Sequence, residues 1–165
     1  MTIFSGIRSL FLKTSLVAIA ALLLVSFASR PAQAEECVAY ANSRLKGDGR
    51  EEVKNAGCAK NWISAAGVTV SQTPQKGWIV VLTGKKKKGD TESTFSSCGH
   101  VMYIESVDGK TLKVSDANWN FDGKRMTNQT FKVNGKWGTR QLSDGTMGLS
   151  QYEISGYVIT QVKKK

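Results

Sequence analysis

From residue 78 onward the chain alternates short apolar runs with turn residues, and that pattern commits most of it to antiparallel sheet. Residues 78–82 and 101–107 are apolar runs of strand length, and residues 111–115 alternate apolar with polar. Asp108-Gly109 lies between the last two runs. This dipeptide accepts the positive φ angles of a two-residue turn, so it is a strong hairpin signal. Residues 131–133 and 156–162 read as further strands. Ahead of this region the period changes. Val38, Ala41 and Leu45 recur at helical spacing and predict a helix over 36–45, ended by Lys46-Gly47-Asp48-Gly49. A second, short helix is predicted over 60–66, with Trp62, Ile63 and Ala66 inward and Gly67 as its stop. Helices first and an antiparallel meander after them make an α+β chain. Residues 84–97 and 135–148 read as surface loops.

The first 34 residues have a different character. Arg8 and Lys13 precede an apolar run from 15 to 28, and Ala32-Gln33-Ala34 follows. This is the layout of a secretory signal peptide with cleavage after Ala34. The run is short for a membrane span of about 20 residues, and no span is expected after cleavage. The remaining segment, 35–165, is the size of one domain. Of the formal charge of +10, three positive charges and no acid belong to the leader, which leaves +7. An exported or periplasmic protein with that balance is drawn to anionic polymers. The charge does not choose among wall polymers, lipid surfaces and nucleic acid, and no specific nucleic-acid site is read. Lys85, Lys86, Lys87 and Lys88 form a run that reads first as a solvated tip. A polyanion contact there is the sharper reading, and it would weaken with salt.

The cysteines and the histidine narrow the chemistry. Cys37, Cys58 and Cys98 leave one thiol over in an oxidising compartment. The simplest arithmetic pairs Cys58 with Cys98 and frees Cys37; another pairing or an intermolecular bridge are the alternatives. With no CxxC pair and a single histidine, His100, the ligands for a structural zinc are too few. No metal or cofactor is expected.

Cys37 opens the first predicted helix, where unpaired N–H groups and the helix dipole favour a thiolate and can hold an oxyanion. Glu35 and Glu36 oppose that locally. His100 follows Gly99 at the head of a strand and is the natural base. Strand parity turns Glu105 to the opposite face from His100. Asp116 and Asn118 lie at the end of the next strand, which the hairpin folds back beside His100. Asp116 is favoured as the group that orients the imidazole, with Asn118 in support, although the two roles are exchangeable at this level.

These segments, taken in order, resemble the CHAP domain family of cysteine- and histidine-dependent amidohydrolases and peptidases. The matching stretches are Glu36-Cys37-Val38-Ala39-Tyr40-Ala41-Asn42, Gly57-Cys58-Ala59-Lys60-Asn61-Trp62, Pro74 and Gly77, residues 99–107 around His100, and Val114-Ser115-Asp116-Ala117-Asn118-Trp119. The resemblance implies a papain-like fold with the nucleophile helix packed on an antiparallel sheet. It also implies cleavage of peptide or amide bonds, typically in peptidoglycan. Under it Cys37 is the nucleophile, His100 the base, Asp116 stands where many members carry Glu, and Asn118 matches a common Asn. Glu36 departs from the Gln that many members place before the cysteine.

The expected activity is therefore that of an exported amidase or endopeptidase of wall peptides. Two other readings stand beside it. One is a non-catalytic wall-binding or structural module on the same fold, and the other is a secreted antibacterial effector with the same chemistry.

Overall fold

The structure is a computed structural model that describes residues 36–86, 97–142, 144–148 and 150–163. The leader expected at 1–34 lies outside the described residues. So do Lys87, Lys88 and the rest of the loop expected at 84–97 up to residue 96.

Among the described residues, one α-helix, α1 (Cys37–Gly47), is followed by a 3-10 helix (Ala59–Ser64) and seven strands. These are β1 (Val68–Ser71), β2 (Ile79–Lys86), β3 (His100–Asp108), β4 (Thr111–Ala117), β5 (Arg125–Asn134), β6 (Trp137–Arg140) and β7 (Tyr152–Thr160). All pairings are antiparallel. Strands β2 to β6 run as a meander, each paired with the next. β7 then pairs with both β6 and β2, which closes six strands into a barrel. Beyond Tyr157, the edge of β7 that met β6 takes β1 instead.

The chain is thus mostly β. The expected order of helix and strands is present, but strand dominates and the sheet closes into a barrel, so the architecture is not clearly the α+β papain-like one expected. Two strands fall where the sequence reading had none. β1 is short, and β6 occupies a stretch read as loop. Its signal was Asn134-Gly135, a hairpin dipeptide, followed by alternation through Trp137-Gly138-Thr139-Arg140.

Closure sorts the side chains. Val80, Leu82, Met102, Ile104, Leu112, Val114, Phe131 and Tyr152 fill the inside. The alternate residues Ile79, Val81, Val101 and Tyr103 face outward and pack against α1 and the 3-10 helix through Ala41, Leu45, Ala59 and Trp62. Fully buried, a side chain of Leu45's size stabilises by about 1.5–3 kcal/mol. Polar contacts set the helix's rotation: Arg44 forks onto Glu105 and lies 3.9 Å over the Tyr103 ring, and Tyr103 donates to Asp48 at 2.8 Å. Glu105 therefore serves the helix face, opposite the face of His100.

The second helix differs from expectation in type. Three residues per turn place Ala59 and Trp62 on one face, whereas Ile63 and Ala66 are exposed. Its N-cap residue Cys58 is bridged to Cys98, and the Lys60 N–H donates to the Cys98 carbonyl. The bridge spans a sequence separation of 40 and ends two residues before His100. Loop-closure entropy for that separation gives about 4 kcal/mol. Replacing both cysteines by serine is expected to lower unfolding stability by roughly 2–4 kcal/mol, read from urea unfolding midpoints.

Inside the barrel, Gly138 lies against the Phe131 ring, and a Cβ there would overlap its Cε1 and Cζ. Gly138→Ala is therefore expected to cost about 1–3 kcal/mol through overpacking. Gly47→Ala, with nothing near its Cβ position, should be neutral or slightly stabilising in the same assay.

Candidate active site

Three elements meet at one mouth of the barrel. His100 begins β3, Asp116 lies near the end of β4, and both belong to the inward-facing set of their strands. Gly99 makes the approach possible. Its φ is +75°, and a Cβ would strike the Leu82 carbonyl oxygen on the neighbouring strand. From outside the barrel the N-terminus of α1 reaches the same rim and carries Cys37, half-buried and the one free cysteine among the described residues.

His100 is almost fully buried, and its Nε2 lies 2.7 Å from Asp116 Oδ2. A Cys37–His100 side-chain hydrogen bond joins the thiol to the imidazole. Burial alone would lower the imidazole pKa. The hydrogen bonds and charges of Asp116 and Cys37 outweigh it and raise the value to about 9. Burial would likewise raise the Cys37 thiol. The hydrogen bond and charge of His100, together with the Val101 N–H, overcome that and bring it below the ordinary range, while Glu36 works against them. Both shifts move the couple toward the thiolate–imidazolium pair, the reactive form of such a couple.

Glu36 is the N-cap of α1 but makes no side-chain cap. The first-turn N–H groups beside Cys37 are therefore not taken up by Glu36, and they suit a developing oxyanion. The Glu36 carboxylate instead accepts from Asn118 Nδ2 at 3.1 Å. Asn118 was expected to share Asp116's face, but β4 ends at Ala117 and Asn118 has φ of +60°. Alternation stops with the strand, so its side chain turns to the rim. There its Oδ1 accepts from the Gly123 N–H and its amide reaches Glu36. Asp116, rather than Asn118, is the group on Nε2.

Two contributors went unread in the sequence. Trp119 meets His100 edge-on at 5.2 Å and Tyr152 at 5.3 Å, which roofs the imidazole with apolar surface. Arg140 on β6 is 4% exposed and grips Asp116 with both terminal nitrogens, at 2.9 and 3.0 Å. Its register partner is Phe131, an inward residue, so Arg140 also points inward. The Asp116 carboxylate has no exposed surface. Burial would raise its pKa, but His100 and Arg140 hold it below the ordinary carboxylate range.

Comparison with known proteins follows the same residues. No curated protein sequence matches the chain. Among solved structures, an N-acetylmuramoyl-L-alanine amidase from Staphylococcus aureus is similar at 22% identity and a TM-score of 0.47 over 73% of this chain. The chain spans only 30% of that protein's length. The structure of Ly7917 is similar at 19% identity and a TM-score of 0.35, over 79% of this chain and 86% of the other. The family profile for the CHAP domain matches residues 28–118, a stretch that contains Cys37, His100 and Asp116 and stops short of β5. This chain belongs to the CHAP domain family.

Proposed function

We propose that the chain is an exported peptidoglycan hydrolase that cleaves an amide bond with Cys37 as nucleophile and His100 as acid and base. The observation that carries this reading is the hydrogen-bonded line from Cys37 through His100 to Asp116, assembled from a helix and two strands. Membership of the CHAP family supports it. The arrangement has a papain-like logic, with a thiol at a helix N-terminus packed against an antiparallel sheet that supplies its histidine. Export rests on the leader pattern of residues 1–34.

In the first half-reaction the Cys37 thiolate attacks the carbonyl carbon. The charge that develops on oxygen is met by the first-turn N–H groups of α1. The His100 imidazolium then gives its proton to the departing amine, and the C–N bond breaks to leave a thioester. In the second half, neutral His100 takes a proton from water as the water attacks the thioester. Collapse releases the acid and restores the thiolate–imidazolium pair. Asp116 keeps the imidazole aimed through both halves. Wall peptide is the substrate class that fits the family and the basic mature charge.

The decisive assay incubates the protein with purified peptidoglycan and identifies released fragments by mass spectrometry. Wild type is expected to release fragments whose new ends define the bond cut, and Cys37→Ala none. Equal release by both proteins, or an inert Cys37 with no release, would overturn the hydrolase reading in favour of a binding module.

The pH profile gives a second check. A pKa of about 9 for His100 means the imidazolium is present below that pH and lost above it. Activity should therefore fall as pH rises through about 9, because the leaving amine loses its proton donor. Cys37 should react with iodoacetamide well below the pH at which ordinary thiols do. In His100→Ala, burial acts without its counterweight, and alkylation at pH 7 should slow by about tenfold or more.

A further inference from the structure

The mechanism above uses Asp116 but leaves unexplained why so deeply buried a carboxylate carries a second cation. Arg140 lies on β6, beyond the stretch matched by the family. It donates from Nη1 to Asp116 Oδ2 and from Nη2 to Oδ1. Oδ2 is also the oxygen that faces His100 Nε2. A planar guanidinium bound through both nitrogens fixes the plane of the carboxylate as well as its position. Trp119 in turn lies against the guanidinium, with Cζ 4.2 Å from its ring centroid. A buried ion pair contributes little net stability against well-packed apolar side chains. This one also leaves the buried Arg140 Nε without a hydrogen-bond partner. Both facts weigh against a purely stabilising role and in favour of aim.

Accepting the Cys37–His100 reading of the site, on which this inference rests, we infer that Arg140 is a positioning residue that locks the Asp116 carboxylate, ionised and in plane, against His100 Nε2. Among the described residues, Cys37 comes from α1 and Glu36 from its N-cap, with Glu36 opposing the thiolate. Asp116 comes from β4 and Arg140 from β6. Without Arg140, Asp116 keeps its burial and only the imidazole to offset it. It then takes up a proton at a higher pH and supports the imidazolium less in mild acid. With less support for the imidazolium, the acid side of Cys37 reactivity moves upward in pH.

The test measures iodoacetamide alkylation of Cys37 across pH 4 to 9, alongside peptidoglycan release, in the wild type and in Arg140→Met, Arg140→Lys, Asp116→Asn and Asp116→Asn/Arg140→Met. Arg140→Met should shift the acid limb up by about one pH unit, a tenfold loss of rate at the old midpoint. Arg140→Lys restores charge but not the two-point grip, so the limb should return most of the way while peptidoglycan release stays reduced. In the Asp116→Asn background, Arg140→Met should add less than about a twofold change, as expected for a residue that acts through Asp116. Thermal unfolding separates the alternatives. If Arg140→Met or, should that variant not fold, Arg140→Lys lowers the melting temperature but leaves both the limb and the release in place, Arg140 is structural and the inference falls. An equal shift in both backgrounds would also overturn it, since Arg140 would then act on the thiol directly. An ordinary thiol profile in the wild type would sink the catalytic reading itself, an outcome distinct from the other two.

Discussion

Asp116 is a charge with no exposed surface, and the arrangement of the site follows from how that charge is satisfied. A carboxylate so placed must find strong donors or give up its ionisation. Here the donors come from two other strands, His100 on β3 and Arg140 on β6. His100 is on the neighbouring strand, but Arg140 cannot be reached unless the sheet curls, because β5 lies between β4 and β6. Curling brings the inward residues of all three strands to one mouth. Closure by β7 then holds them there.

The free thiol is placed by different means. Cys37 belongs to a helix outside the barrel, held through Ala41 and Leu45 and through the Arg44–Glu105 pair. Strand alternation explains why the two arrangements do not interfere. Along β3, Val101 and Tyr103 look out to the helix while His100 and Met102 look in. Glu105, which lies close to His100 in sequence, is thereby committed to the helix and not to the imidazole.

Much of this was legible in the sequence wherever the determining pattern was local. The helix that starts at Cys37, the Asp108-Gly109 hairpin, the apolar strands and the choice of Asp116 over Glu105 all follow from periodicity across a few residues. What was not legible depends on distant partners. Barrel closure is a relation between β7 and two strands far from it in sequence. Arg140 sat in a glycine-rich stretch that read as loop, and only its register opposite Phe131 turns it inward. Asn118 was misplaced because alternation was carried past the strand's end, into a residue with a left-handed backbone. Ile63 and Ala66 were placed inward on a helical period of 3.6, whereas the segment winds with a period of three.

The division of the site between an outer helix and an inner barrel has a consequence for synthesis. A chain made from its N-terminus exposes Cys37 long before His100, and His100 before Asp116 and Arg140. Until β3 stands beside α1, Cys37 lacks the His100 hydrogen bond and charge and the Val101 N–H that lower its pKa, so its perturbed titration depends on residues made more than sixty positions later.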